Sequence, residues 1–237
     1  MATPRIFLHR QLEPRVLPSA CFAEEGRQLV DLHGALRALG VAAAPDLRIC
    51  SGAVHQAERG AIQDPAGSAI GGGPPARMFA GGASGAIYRS FPDLAPIPEI
   101  PPGASVFNAS TGPGSRVLHT HSPILEGSPE DPEARALVLS QLAQAYCGAL
   151  LAFVDRAPTL GEHGECLDLV PLAASIFAGD FRDHAHVIRG HLDPGYTLTA
   201  ILWAAQELRQ AGHQPPALCL YYFEDPLVEV AESLLNP

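Results

Sequence analysis

Two short apolar runs in the last third of the chain, Leu167–Leu172 and Leu218–Phe223, limit the fold more than any other feature. A strand that is hydrophobic at successive positions is buried on both faces, and such strands belong to sheets covered by helices above and below. The neighbouring segments agree. Pro132–Asp155 carries Val138, Leu142, Ala145, Tyr146, Ala149 and Phe153 on one face of a long helix. Gly195–Gln210 reads as a second helix, and Pro226–Leu235 as a third with proline in its first turn. Strands alternating with helices predict a three-layer α/β/α sandwich.

The N-terminal part is less regular. Arg5–His9 and Asp46–Cys50 are strand candidates. Ser19–Leu39 reads as one helix, capped by Ser19, with Leu29, Leu32, Leu36 and Leu39 at spacings of three and four and Gly40 as its stop. Ser51–Ala86 reads as a connection rich in glycine and small residues, broken by Gly71-Gly72-Gly73-Pro74-Pro75. Five prolines between Pro92 and Pro102 exclude a helix there and predict an extended surface crossing. Ala104–Asn108 and Ser115–His121 are short strands around a Gly112-Pro113-Gly114 turn, and Cys166–Leu172 is a strand that ends in the first apolar run. A length of 237 residues suits a single domain, 1–237.

Charge and cysteine usage narrow the function. Fifteen Lys and Arg against 25 Asp and Glu give a net charge of −10. That field opposes general nucleic-acid binding but leaves room for a local anion site. No run approaches 18 continuous apolar residues and the first residues lack the apolar core of a signal peptide, so neither a membrane partner nor secretion is expected. The five cysteines, Cys21, Cys50, Cys147, Cys166 and Cys219, form no C-x-x-C pair. They read as reduced, mostly buried thiols of a cytoplasmic protein, with no metal and no cofactor assigned.

Ligands of open α/β sheets bind outside the carboxyl ends of the strands. Two loops there stand out. Ala80–Tyr88 runs a glycine-rich turn into a helix start, where free N–H groups attract anions. Ala173–Asp180 follows an apolar strand with small residues and then Ile176-Phe177, suiting a nest of backbone N–H groups under an apolar lid.

Taken in order, these segments resemble macro domains. Gly82-Ala83-Ser84-Gly85-Ala86-Ile87-Tyr88-Arg89 is similar to that family's glycine-rich loop. Arg116–Pro123 resembles its following strand, Leu142–Leu150 its next helix, Leu169–Ala178 its second ligand loop, and Leu220–Asp225 its terminal strand. The resemblance spans about 77–235 and leaves 1–76 divergent. It implies an α/β/α sandwich with a mixed central sheet that binds ADP-ribose. Gly82, Ala83, Ser84, Gly85, Ala86 and Ile87 would wrap the distal ribose and a phosphate. Ala174, Ser175, Ile176, Phe177, Ala178 and Gly179 would hold the diphosphate through backbone N–H groups, with Phe177 packing on the distal ribose.

The departures from the pattern set the alternatives. Ser51-Gly52-Ala53-Val54-His55 stands where the family has two asparagines, and Ser84 stands where many hydrolases carry an acid. The nearest match to the adenine-binding acid is Arg10-Gln11-Leu12-Glu13. The densest polar cluster is Asp180–His186 with His191 and Asp193. Asp180 or Asp183 would supply the missing carboxylate, and Arg182 would meet a phosphate. His184, His186 and His191 have the side chains for a metal, though without a supporting motif. His119 and His121 alternate on one strand face and read as half-buried polar residues, and Trp203 reads as core. The resemblance implies binding of ADP-ribose or an ADP-ribosylated substrate with hydrolysis of an ADP-ribosyl linkage. A binding module without turnover, or a degenerate domain serving protein contacts, is the alternative.

Overall fold

The computed structural model describes residues 5–23, 26–42, 44–66, 80–174, 176–182 and 190–236. Seven strands form one sheet: β1 Ile6–Phe7, β2 Leu47–Ser51, β3 Ala61–Ala66, β4 Ser105–Phe107, β5 Val117–His121, β6 Cys166–Leu169 and β7 Ala217–Tyr222. Their order is β1-β4-β5-β3-β6-β7-β2. The five strands from β5 to β2 are parallel, while β4 runs antiparallel to both β5 and β1. The described helices are α1 Leu32–Leu39, α2 Gly82–Ser90, α3 Pro132–Arg156, α4 Pro194–Gln210 and α5 Asp225–Leu235. The mixed sheet with helices on both faces is the expected α/β/α architecture.

The layers are unequal. Leu167, Leu169, Leu218 and Leu220 alternate onto one face and join Leu142, Tyr146, Phe153, Ile201 and Trp203 in the main core with α1, α3, α4 and α5. α3 is long and apolar enough to cross a bilayer, but 72% of its most apolar window is buried inside the protein. It packs on β4, β5 and α4, and a helix enclosed by protein is apolar all round for that reason. On the other face, among the described residues, α2 is the only α-helix. Ile87, Phe91 and Leu94 pack there on Ile62 and Val117. Ile97 and Ile100 continue the cover over Ala66 and Val106. The proline-rich run holds no helix, as expected, but it buries Leu94, Ile97 and Ile100 in place of one.

Three sequence expectations need correction. Ser19–Leu39 is not one helix. A 3-10 turn covers Ser19–Cys21, Phe22 bridges to Leu29, and α1 begins only at Leu32. Gly26 turns the chain at φ 66°, and Asp31 caps the true helix by accepting from Gly34 N at 2.6 Å. Second, Ser51–Ala86 is not all connection, because it holds the central strand β3. Third, the strand from Cys166 stops at Leu169, and Ala173 then turns at φ 53°.

β3 was hidden by its own chemistry. Gln63 and Asp64 interrupt the apolar pattern and Pro65 reads as a strand breaker. Each polar side chain is buried but paired. Gln63 donates to Thr120 Oγ1 at 3.2 Å, and that hydroxyl meets Ser105 Oγ at 2.9 Å. Asp64 Oδ2 lies 2.7 Å from His119 Nδ1, and Asn108 Nδ2 lies 2.9 Å from His119 Nε2. Asn108 is oriented because its Oδ1 accepts from Ala95 N and Ser110 N. Its Nδ2 must then donate, so His119 Nε2 accepts and the ring proton sits on Nδ1, facing Asp64. His119 is thus fully buried rather than half-buried; His121 is partly buried, with Nδ1 2.6 Å from Ile100 O.

Candidate functional site: a cleft at the strand ends

A cleft of about 520 Å³ opens at the carboxyl ends of β2, β6 and β7. Its walls come from four places: Gly52–His55 after β2, the first turns of α2, Val170, Pro171 and Ala174 after β6, and Tyr221–Glu224 at the end of β7. Leu227, Arg89 and His191 complete the rim. The two loops picked out from the sequence face the same space, since Gly82, Ala83 and Ala86 line it together with Ala174.

α2 begins at this cleft for a backbone reason. Gly81 is extended, Gly82 takes φ 54°, and Gly85 N then bonds Gly81 O at 3.0 Å. Among the described residues no side chain caps the helix, and uncapped first-turn N–H groups suit an anion. Gly85 admits no Cβ, because one would run into the carbonyl of Ala80. Behind the cleft wall, Ser84, Gly85 and Ile87 are buried against the sheet. Ser84 at the acidic position of the resemblance thus faces inward, with its Oγ unpartnered.

The second loop is held by side chains from three other elements. Val170 N donates to Gln63 Oε1 at 3.3 Å. Tyr146 OH donates to Val170 O and accepts from Leu172 N, both at 3.0 Å. Ala173 N donates to Ser122 Oγ at 2.8 Å, and Ala174 O accepts from Leu192 N at 2.9 Å. These bonds hold Ala173 in a left-handed conformation that costs an L residue about 1–2 kcal/mol. The short helix Ile176–Phe181 is tied to the preceding segment by Leu125 N donating to Phe177 O at 2.8 Å.

Of the second loop's other described groups, Phe177, Ala178, Gly179 and Asp180 do not line the cleft. Ala178 is fully buried, Gly179 sits against Leu125 O, and Phe177 packs against the main core. Asp180 is exposed and does not line the cleft, and Arg182 Nε donates to Gly179 O at 3.0 Å. Ser175, Asp183, His184 and His186 lie outside the described residues. Leu12 of the adenine-signature candidate is part of the core, and Arg10 reaches Glu207 at 3.3 Å.

Several lining residues escaped the sequence reading. Phe223 is 80% exposed at the end of β7, an apolar ring held at the cleft with little covering it. Arg89 brings a guanidinium to the α2 side. Glu224 joins the rim, with its Oε1 3.1 Å from His191 Nε2. Burial pushes the Tyr221 phenol up, so it stays a neutral hydroxyl. The described residues therefore give the cleft backbone donors and the Arg89 guanidinium on one side, the exposed Phe223 ring on the other, and the Glu224 carboxylate at the rim.

No family model matches the chain, and no curated protein matches its sequence. Solved structures match its shape. An Oceanobacillus iheyensis macrodomain with ADP superposes at a TM-score of 0.52 and 19% identity, over 82% of this chain and 93% of that one. A Trypanosoma brucei macrodomain in complex with ADP-ribose gives a TM-score of 0.52 and 16% identity, over 94% and 80%. An alphavirus P23pro-zbd chain gives 0.50 and 19%, over 90% of this chain but 28% of that longer one. The fold is that of the macrodomains.

Proposed function

We propose that this protein binds ADP-ribose, or a closely related NAD-derived nucleotide diphosphate, in the strand-end cleft. The observation that carries the reading is the uncapped start of α2 facing Ala174 across one cavity. Uncharged N–H donors suit a diphosphate, and they explain how a chain of net charge −10 accepts an anion. Arg89 adds one local positive charge for a phosphate. Phe223 presents a face for stacking on the base or packing on a ribose. The neighbours of the same fold include structures with ADP and with ADP-ribose, which supports the ligand class.

Binding without turnover is the reading the described geometry favours. A hydrolase needs a base within reach of the attacking water. Ser84 is buried, Asp180 lies off the cleft, and Glu224 is the one described carboxylate in the lining. A second reading, hydrolysis of an ADP-ribosyl linkage, rests on the His191–Glu224 pair at the rim, with Asp183 as the other proposed base. Calorimetry with ADP-ribose, run beside a release assay on an ADP-ribosylated protein, separates the two. Micromolar or tighter binding without release supports the module. Release that Glu224→Gln abolishes supports the hydrolase. No heat at millimolar ADP-ribose, or equal heat from Ala174→Trp that fills the cleft, would remove both.

A further inference from the structure

The same three strands that end at the cleft, β6, β7 and β2, also gather a group of side chains that the nucleotide reading does not use. Asp168 on β6 pairs in register with Cys219 on β7. Cys166 lies two residues before Asp168 and therefore projects from the same face. Leu167, Leu169, Leu218 and Leu220 take the opposite face and fill the main core. The sulfurs of Cys166 and Cys219 and a carboxylate oxygen of Asp168 all lie within 4.8 Å of one another. Cys166 Sγ stands 3.8 Å from Asp168 Oδ1. On β2, beside β7, Cys50 lies near Cys219, and burial together with that neighbour pushes the Cys50 thiol up.

Burial makes the arrangement notable. The three thiols are half-buried, while Asp168 is only 2% exposed; the Gly60 N–H and the Cys219 thiol lie near its carboxyl, but Oδ2 makes no hydrogen bond of good geometry. A buried carboxylate oxygen without a donor is costly unless something else satisfies it. Arg116 lies near enough to act on this carboxylate through space, yet its Nη1 donates to Gly60 O at 3.1 Å and to Glu58 O at 3.3 Å. Gly60 packs directly against Oδ2, where any Cβ would strike it.

We propose that Cys166, Asp168 and Cys219 form a site for a thiophilic divalent cation of the Zn²⁺ type, with Cys50 placed to close a fourth position. Thiolate donors select such ions over Mg²⁺ and Ca²⁺. A Zn–S bond of about 2.3 Å sets tetrahedral sulfurs about 3.8 Å apart, so the donors need only a small inward closure. On binding, each ligating thiol releases its proton to water and the carboxylate gains the partner it lacks. The donors stand on three adjacent strands, so the ion would clamp β6 to β7 and, through Cys50, to β2. This inference uses none of the cleft residues and does not depend on the nucleotide reading.

The test titrates Co²⁺ into the full-length protein, purified under reductant and stripped with a chelator. One equivalent is expected to produce a sulfur-to-cobalt charge-transfer band in the near ultraviolet and the strong visible absorption of a tetrahedral site, both erased by Zn²⁺. Cys219→Ser and Asp168→Asn should each weaken binding by more than about tenfold. Cys147→Ser, whose thiol is buried against Ala204 O, should not. Circular dichroism checks that each variant folds. Should Cys219→Ser fail to fold, alkylation of Cys166 and Cys219 in the unmutated protein is read by mass spectrometry with and without Zn²⁺, and protection of about tenfold or more is expected. Absence of the charge-transfer band, its persistence in folded Cys219→Ser, or no protection by Zn²⁺ overturns the site.

Discussion

Replacing His119 by phenylalanine tests how the polar centre of the sheet is held. The ring keeps its shape beneath Tyr88, which stacks on His119 at 6.1 Å and 15°. Both nitrogen contacts disappear. Asp64, at 0% exposure, loses its 2.7 Å partner while its Oδ1 already has none. Breaking a buried pair on one side costs about 3–5 kcal/mol, because a desolvated charge is left behind. The orphaned N–H of Asn108 adds about 1 kcal/mol. The sum, about 4–6 kcal/mol, corresponds to a melting temperature lower by about 8–24 °C for a chain of this size. Asp64→Leu combined with His119→Phe removes both partners and should recover to within about 2 kcal/mol of the unmutated protein. Urea denaturation followed by circular dichroism reads each value, with an unchanged slope confirming that only stability moved. A single-variant cost below about 1 kcal/mol, or a double variant worse than either single, would refute the reasoning.

Four further outcomes are expected. Burial raises the Asp168 carboxyl from 3.8 to about 6, with Arg116 opposing. The folded state therefore holds this proton more tightly than the unfolded chain, so the carboxylate costs stability above pH 6 and nothing below pH 3.8. In chelator-treated protein, Asp168→Asn should melt higher than the unmutated chain at pH 8, by at most about 3 kcal/mol, and equally at pH 3.5; a gain that persists at the acid end contradicts this. Gly85→Ala should cost about 1–3 kcal/mol and abolish the calorimetric signal with ADP-ribose, since its Cβ meets the Ala80 carbonyl. Gly82→Ala, strained at φ 54° but facing open space, should cost only about 1 kcal/mol. Phe223→Ala should weaken ADP-ribose binding by about 1–3 kcal/mol while leaving the thermal melt within about 0.5 kcal/mol, because the ring is mostly exposed.

What was legible in the sequence followed from burial that leaves a pattern. β6, β7, α3, α4 and α5 are apolar on the faces they bury, so their runs and periods show in one dimension. β3 satisfies its buried polar groups through partners about 55 residues away, such as Thr120 and His119, and no local signal announces such partners. The leucines from Leu29 to Leu39 keep helical spacing by coincidence. Leu29 enters the core from an extended segment, and only Leu32, Leu36 and Leu39 share a helix. At the cleft, Gly82, Ala83 and Ala174 were readable because strand-end glycines and small residues have a backbone reason to be there. Phe223, Arg89 and Glu224 were not, since their meeting depends on which strands become neighbours. The same holds for Cys166 and Cys219, which are far apart along the chain and adjacent only through the register of β6 on β7.

The position of β3 between β5 and β6 also sets a timetable for synthesis. Ile62 waits for Val117, and Ala61 waits for Leu167, roughly a hundred residues later. At about 5–20 residues per second, a ribosome needs on the order of 5–20 s to deliver that last neighbour. Throughout that interval the hydrogen-bonding edge that β6 will cover stays unpaired on the emerging chain. A holdase that protects this stretch, or slower synthesis that lengthens the wait, should change the yield of native protein without altering a single contact in the finished molecule.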